Sequence, residues 1–155
     1  MTTGGRLEYL VNNSGILISI SLRDVPLDDA KGLFDTNLWD ALNVIEAFSP
    51  LLIRDKGTIL NISSVTSYMH VPWEGVYVIS KAALNVLGET LQLELSTFGV
   101  EVLTVISGAV NTKICDNCSG RNAIGKLGLQ SFSSENGEAD SEQGLRRPVP
   151  LLDAS

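Results

Sequence analysis

Histidine occurs once in this chain, at His70, and cysteine twice, at Cys115 and Cys118. A zinc site needs further ligands beyond one C-x-x-C pair, and a thiol-redox motif needs a βαβ context just before it. Neither is present, so the two cysteines are expected to be incidental loop residues and no metal is expected. No apolar run approaches the roughly 18 residues of a membrane span. Met1 to Glu8 is polar and contains glycine, which does not fit a secretory signal. A reducing, cytoplasmic setting is therefore the expectation, and the glycosylation triplets beginning at Asn12, Asn61 and Asn117 carry no meaning without a secretory route. Basic clusters are missing as well. The formal net charge is −7, which argues against nucleic acid or an anionic membrane as partner. The stretch Gly120 to Lys126 has the glycine spacing of a phosphate loop, but Leu127 stands where Ser or Thr must bind magnesium, and that reading is rejected.

What is present suits one domain of 155 residues, 44% hydrophobic and 19% charged, with enough apolar material to bury a core. Three runs of strand length stand out: Leu7–Val11, Thr58–Ile62 and Val100–Ile106. They are rich in Val, Ile and Leu and do not alternate cleanly, which predicts parallel strands buried on both faces. Two long helical patterns lie between them. In the first, about Asp28 to Ile53, Leu33, Phe34, Leu38, Leu42, Ile45 and Phe48 recur at three- and four-residue steps, and Gly57 follows as a stop. In the second, about Val76 to Thr97, Leu84, Leu87, Leu91 and Leu95 share a stripe and Gly99 follows. Strand–helix–strand–helix–strand predicts an α/β sheet with right-handed crossovers. After Ile114 the composition turns to Gly, Ser, Asn and Glu. Residues 1–114 are thus expected to be the folded unit and 115–155 a disordered or non-native tail.

The chemistry-bearing constellation is Ser64, Tyr77 and Lys81. Residues four apart on a helix share a face, so Tyr77 and Lys81 meet. An ammonium beside a phenol favours the phenolate, and a Tyr so poised can exchange a proton with an alcohol or carbonyl. Ser64 ends a buried strand, where ligands of open α/β sheets bind. The same rim gathers Asn12-Asn13-Ser14-Gly15 after the first strand and Ser107-Gly108-Ala109-Val110-Asn111-Thr112 after the third.

In these motifs Leu10 to Thr112 resembles the catalytic half of a classical short-chain dehydrogenase/reductase. Asn12-Asn13-Ser14-Gly15 is similar to that family's N-N-A-G. Asn37 matches its helix Asn. Ser64, Tyr77 and Lys81 match its Ser, Tyr and Lys at the family's spacing. Ser107–Thr112 is similar to P-G-x-V-x-T, with Ser in place of Pro. The resemblance implies the C-terminal part of a Rossmann-type doubly wound parallel sheet and an NAD(P)-dependent oxidoreductase. It makes Tyr77 the general acid/base, Lys81 its tuner and the holder of the nicotinamide ribose, Ser64 the residue that orients the substrate carbonyl, and Asn37 the anchor of a proton-relay water. Asn12, Gly15, Tyr77, Lys81, Val110 and Thr112 are implied to contact the cofactor. The family's opening T-G-x-x-x-G-x-G turn has no counterpart here, so the first βαβ units are expected to be missing. A non-catalytic fragment that acts through a partner is then the alternative to a working enzyme.

A finer likeness, in Leu33–Trp39, Phe48–Ile53, Pro72–Tyr77 and Ser107–Val110, is to fungal NADPH-dependent 1-acyldihydroxyacetone-phosphate reductases. It implies NADP(H), a ketone or alcohol substrate bearing an acyl chain with Met69, Val71 and Trp73 at the substrate mouth, and the endoplasmic reticulum or lipid-droplet surface. The family also implies a homodimer through the two long helices.

Overall fold

The computed structural model describes residues 5–108. Val110, Thr112, both cysteines and the tail from 115 lie outside the described residues.

Three parallel strands form one sheet: β1 (Tyr9–Asn12), β2 (Thr58–Ser64) and β3 (Glu101–Ser107), in the spatial order β1-β2-β3. Tyr9 pairs with Thr58 and Asn12 with Asn61; Thr58 pairs with Glu101 and Ser64 with Ser107. Helices α1 (Leu27–Phe34) and α2 (Asp40–Asp55) connect β1 to β2, and α3 (Gly75–Leu95) connects β2 to β3. This is the expected α/β order. The first helical pattern, however, is two helices joined by a π-turn at Asp35–Trp39. Hydrophobic periodicity cannot register that turn, because Leu38 inside it is still buried and the stripe continues. A π-turn commonly marks a functional position, and here it carries Asn37.

Packing explains the boundaries. Ile45 and Leu52 of α2 close over Ile59 of β2 and over Val100 and Val102. Leu38, Ala41 and Leu84 join the π-turn, α2 and α3. Phe48, counted into the apolar stripe, points outward, and Ala41 and Leu52 are buried instead. α2 ends where Lys56 takes a left-handed φ of 53°. Gly57 follows with no room for a side chain, since a Cβ there would lie 2.7 Å from the Leu7 carbonyl oxygen.

The expectation of strands covered on both faces holds on one side among the described residues. Ile59, Asn61 and Ser63 point into the helices and are buried, while Tyr9, Val11, Leu103 and Val105 are exposed on the opposite face. A parallel sheet shows the sequence texture of double burial even where one layer of helices is described, because Val, Ile and Leu occupy both faces alike. No described helix is long and apolar enough to cross a membrane.

Candidate active site

In a parallel sheet the strands deliver their C-termini to one rim, and the helix that follows each strand starts there. Ser64 ends β2 and Tyr77 stands in the first turn of α3. One turn further on, Lys81 is buried to 4% exposure, with its Nζ 5.9 Å from the centroid of the Tyr77 ring. That is cation–π range. Lys81 Nζ donates to the Ile62 carbonyl oxygen at 2.9 Å. Burial lowers the Lys81 pKa from its ordinary value, because an ammonium loses hydration there.

Asn37 is 1% exposed and fully committed. Its Oδ1 accepts the Ile16 N–H at 2.8 Å, and its Nδ2 donates to the Ile16 carbonyl oxygen at 2.9 Å and to Ser80 Oγ at 3.0 Å. The π-turn is therefore pinned to the loop that leaves β1. Ser80 Oγ donates in turn to the Tyr77 carbonyl oxygen at 2.8 Å. Ser80 was not among the sequence candidates. Its position beside Lys81 on the motif helix is the only signal the sequence offered, and serine in a helix is usually unremarkable.

Gly15 is where these groups converge. A Cβ built there would lie 3.3 Å from Lys81 Nζ and 3.5 Å from Asn37 Oδ1. A larger residue would crowd the ammonium, so the turn needs glycine for close approach. Asn12 also has a structural partner. Its Nδ2 donates to Asn61 Oδ1 at 2.9 Å, which ties β1 to β2 across the sheet. Ser64 Oγ accepts from Thr66 N–H at 3.2 Å and from Thr66 Oγ1 at 2.9 Å, capping a short 3₁₀ turn over Val65–Tyr68. Its own proton stays available to donate.

The structure thus brings Asn37, Lys81, Gly15 and Tyr77 together through Ser80 and the helix, and sets Ser64 on the neighbouring strand end. The residues fit the nicotinamide-ribose end of a dinucleotide. A buried ammonium has three donors, and Ile62 takes one of them.

Comparison with known proteins agrees with this fold. The sequence profile described as short chain dehydrogenase matches residues 1–122. The chain is 49% identical over 110 residues to the short-chain dehydrogenase cctT of Talaromyces islandicus, an alignment covering 71% of this chain and 39% of that protein. It is 40% identical over 112 residues to the NADPH-dependent 1-acyldihydroxyacetone phosphate reductase of Schizosaccharomyces pombe, covering 72% and 38%. The chain therefore spans about two fifths of the length of the curated relatives it matches. Among solved structures, a short-chain dehydrogenase/reductase from Caenorhabditis elegans with cofactor superposes at TM-score 0.68 and 28% identity, covering 83% of this chain and 48% of that one. A short-chain dehydrogenase from Streptomyces avermitilis gives 0.67 and 29%, covering 72% and 42%. A tyrosine and lysine one helical turn apart at the rim of a parallel sheet, together with a profile match over most of the sequence, make this chain a member of the short-chain dehydrogenase family.

Proposed function

We propose that this chain carries the catalytic centre of an NADP(H)-dependent carbonyl reductase acting on a ketone or alcohol with an apolar or acyl chain, within the unit formed by residues 1–114. The observation that carries the reading is the buried Lys81 ammonium, lodged between the Tyr77 ring and the Gly15 turn. Lys81 and Tyr77 hold the nicotinamide ribose, with Asn12 and Gly15 shaping the turn below it and Val110 and Thr112 contributing from beyond β3. A bound nicotinamide supplies or accepts the hydride. Tyr77 exchanges the proton with the substrate oxygen, and Lys81 favours its phenolate by charge. Ser64, with its hydrogen free to donate, orients the carbonyl. Asn37 keeps the loop after β1 and the π-turn in register with α3, the setting for a proton relay. NADP(H) and the acyl chain are supported by the likeness to the Schizosaccharomyces pombe reductase. Such a substrate is met at a lipid surface, the endoplasmic reticulum or a lipid droplet.

The test is NADPH emission on mixing with the pure protein. Saturable enhancement, lost in Lys81→Ala, supports the reading, and no change at millimolar cofactor overturns it. Where turnover is measured, Tyr77→Phe should lower it by at least about a hundredfold, the size of a general-acid contribution, and leave the NADPH response intact. A near-normal rate in that variant removes Tyr77 from its role.

A second reading, association with a partner without catalysis, is favoured by the open sheet face of Tyr9, Val11, Leu103 and Val105. α2 and α3 also expose Val44, Phe48, Ile79, Val86 and Leu93, the surface for a homodimer through the two long helices. Analytical ultracentrifugation separates these from a monomeric enzyme.

A further inference from the structure

Tyr77, Lys81 and Asn85 follow one another at four-residue steps in α3, so they share a stripe of the helix, and all three are buried. Tyr77 and Lys81 belong to the proton-transfer constellation, and Asn85 has no part in it. Asn85 Nδ2 donates to Ser67 Oγ at 2.8 Å, and Ser67 Oγ donates to the Ser64 carbonyl oxygen at 2.6 Å. The direction of this chain of bonds is fixed by its end. A carbonyl oxygen only accepts, so the single Ser67 proton goes there and Ser67 Oγ must accept from Asn85. An amide Nδ2 can serve at that position and a carboxylate cannot.

Ser64 is the last residue of β2. Ser63, just before it, is fastened on two sides. Ser107 Oγ donates to its carbonyl oxygen at 2.7 Å, and its own Oγ donates to the Lys81 carbonyl oxygen at 3.3 Å. After Ser64 the strand gives way to the 3₁₀ turn Val65–Tyr68. In that turn Thr66 holds the Ser64 hydroxyl oxygen, by its N–H at 3.2 Å and its Oγ1 at 2.9 Å, while Ser67 holds the Ser64 carbonyl oxygen. Ser67 is in turn held by α3, through Asn85. Asn85 Oδ1 is buried with no hydrogen-bond partner among the described residues. A buried amide paired on one side alone adds little stability, so the donor is what Asn85 supplies.

We infer that Asn85 is a positioning residue. Acting through Ser67, it sets the Ser64 carbonyl, and with it the turn that holds the Ser64 hydroxyl, at a fixed place against the stripe of α3 that carries Tyr77 and Lys81. One helix face then spaces all three groups, two directly and one by this tether. The consequence for turnover rests on the reductase reading above, and the tether itself does not. A displaced Ser64 hydroxyl costs most in the transition state, where the substrate oxygen gains charge. The tether therefore acts on kcat rather than on KM.

The experiment follows the Ser64 carbonyl carbon resonance and the exchange rate of the Thr66 amide by NMR of the pure protein. Asn85→Asp keeps the shape and reverses the bond: the carboxylate takes the Ser67 proton, and the Ser64 carbonyl loses its donor. The Ser64 resonance should move upfield, and the Thr66 amide should exchange up to about tenfold faster, the size of one hydrogen bond. Ser67→Ala should do the same, and Ser67→Thr should restore the parent values. Asn85→Leu combined with Ser67→Ala should be no worse than Ser67→Ala alone, because Asn85 acts through Ser67. An unmoved Ser64 resonance in Asn85→Asp and Ser67→Ala overturns the tether, and so does a double variant whose effects add. Where the urea curve shows that Asn85→Asp does not fold, Ser67→Ala and the double variant decide by the same two readings. NADPH oxidation with 2-decanone is read on the same samples. A kcat lowered at least about tenfold in Asn85→Asp with KM little changed supports the positioning role, and a normal kcat beside a shifted Ser64 resonance overturns it. A parent that neither binds nor oxidises NADPH, while its Ser64 resonance responds to Asn85→Asp, keeps the tether and removes the reductase reading.

Discussion

At the N-terminal ends of β2 and β3, Leu52, Ile59, Val100 and Val102 close a dry core. At the C-terminal ends, Asn37, Ser63, Ser80 and Lys81 are buried just as deeply and are polar. The two ends of one sheet therefore meet different physical requirements. The apolar end gains stability from every methylene removed from water. The polar end gains only when each donor and acceptor is matched, and it holds a buried ammonium that burial itself disfavours. The difference shows where this molecule keeps its stability and where it gives some up.

Truncation at the apolar end should have the largest effect. Leu52→Ala removes a side chain with 0% exposure at the centre of the core and should cost about 2–5 kcal/mol, read as a lower urea midpoint with an unchanged slope. A loss under about 1 kcal/mol would show that this end is looser than its burial indicates.

Ser80→Ala probes the polar end. It removes the bridge between Asn37 Nδ2 and the Tyr77 carbonyl oxygen and should cost about 1–3 kcal/mol, the range for leaving buried polar groups short of a partner. Ser80→Thr, which keeps a hydroxyl, should recover part of that loss. Equal losses in both variants would make the position one of packing alone.

Lys81 supplies a smaller effect of known sign. Its folded pKa lies below the ordinary 10.5, so the unfolded chain holds the proton more tightly. Stability should rise as pH climbs from the folded value toward 10.5 and be lowest, as far as this group is concerned, below the folded value. In Lys81→Met that rise should shrink, measured as the urea midpoint across the alkaline range. An identical rise in both proteins would mean another group is responsible.

The smallest effect belongs to the far side of the apolar end. Asp55 accepts from Arg54 and from the Leu7 N–H, and the Arg54 guanidinium holds its carboxyl down to about 2. The stability it contributes is present above its ordinary range and lost as pH falls toward 2. Melting curves of the parent and Asp55→Asn should converge on acidification.

Much of this comparison was legible beforehand. The strand runs, the two helical stripes and the glycine stops lie within a few residues of the observed elements, because burial writes its period into nearby sequence. Tyr77, Lys81, Ser64 and Asn37 were visible as a spaced motif. Ser80 was not, since a lone helix serine has no spacing to report. The tie from Asn12 to Asn61 across the sheet was not legible either, since it joins residues 49 apart in the chain. The π-turn was hidden because Leu38 keeps the apolar stripe intact through it.

The sequence by itself determined the order of strands and helices and the family, and it spaced Ser64, Tyr77 and Lys81 as the candidate reacting groups, since these depend on neighbours a few residues apart. Only the tertiary structure decided that Asn37 meets Ser80, that Lys81 is buried against Ile62, that the helices lie on one face of the described sheet, and that Leu22 of the loop after β1 sits against Gly75 of α3. Each of those depends on residues far apart in the chain. Which side chains come within bonding distance is set by how the layers pack, and no local pattern records it.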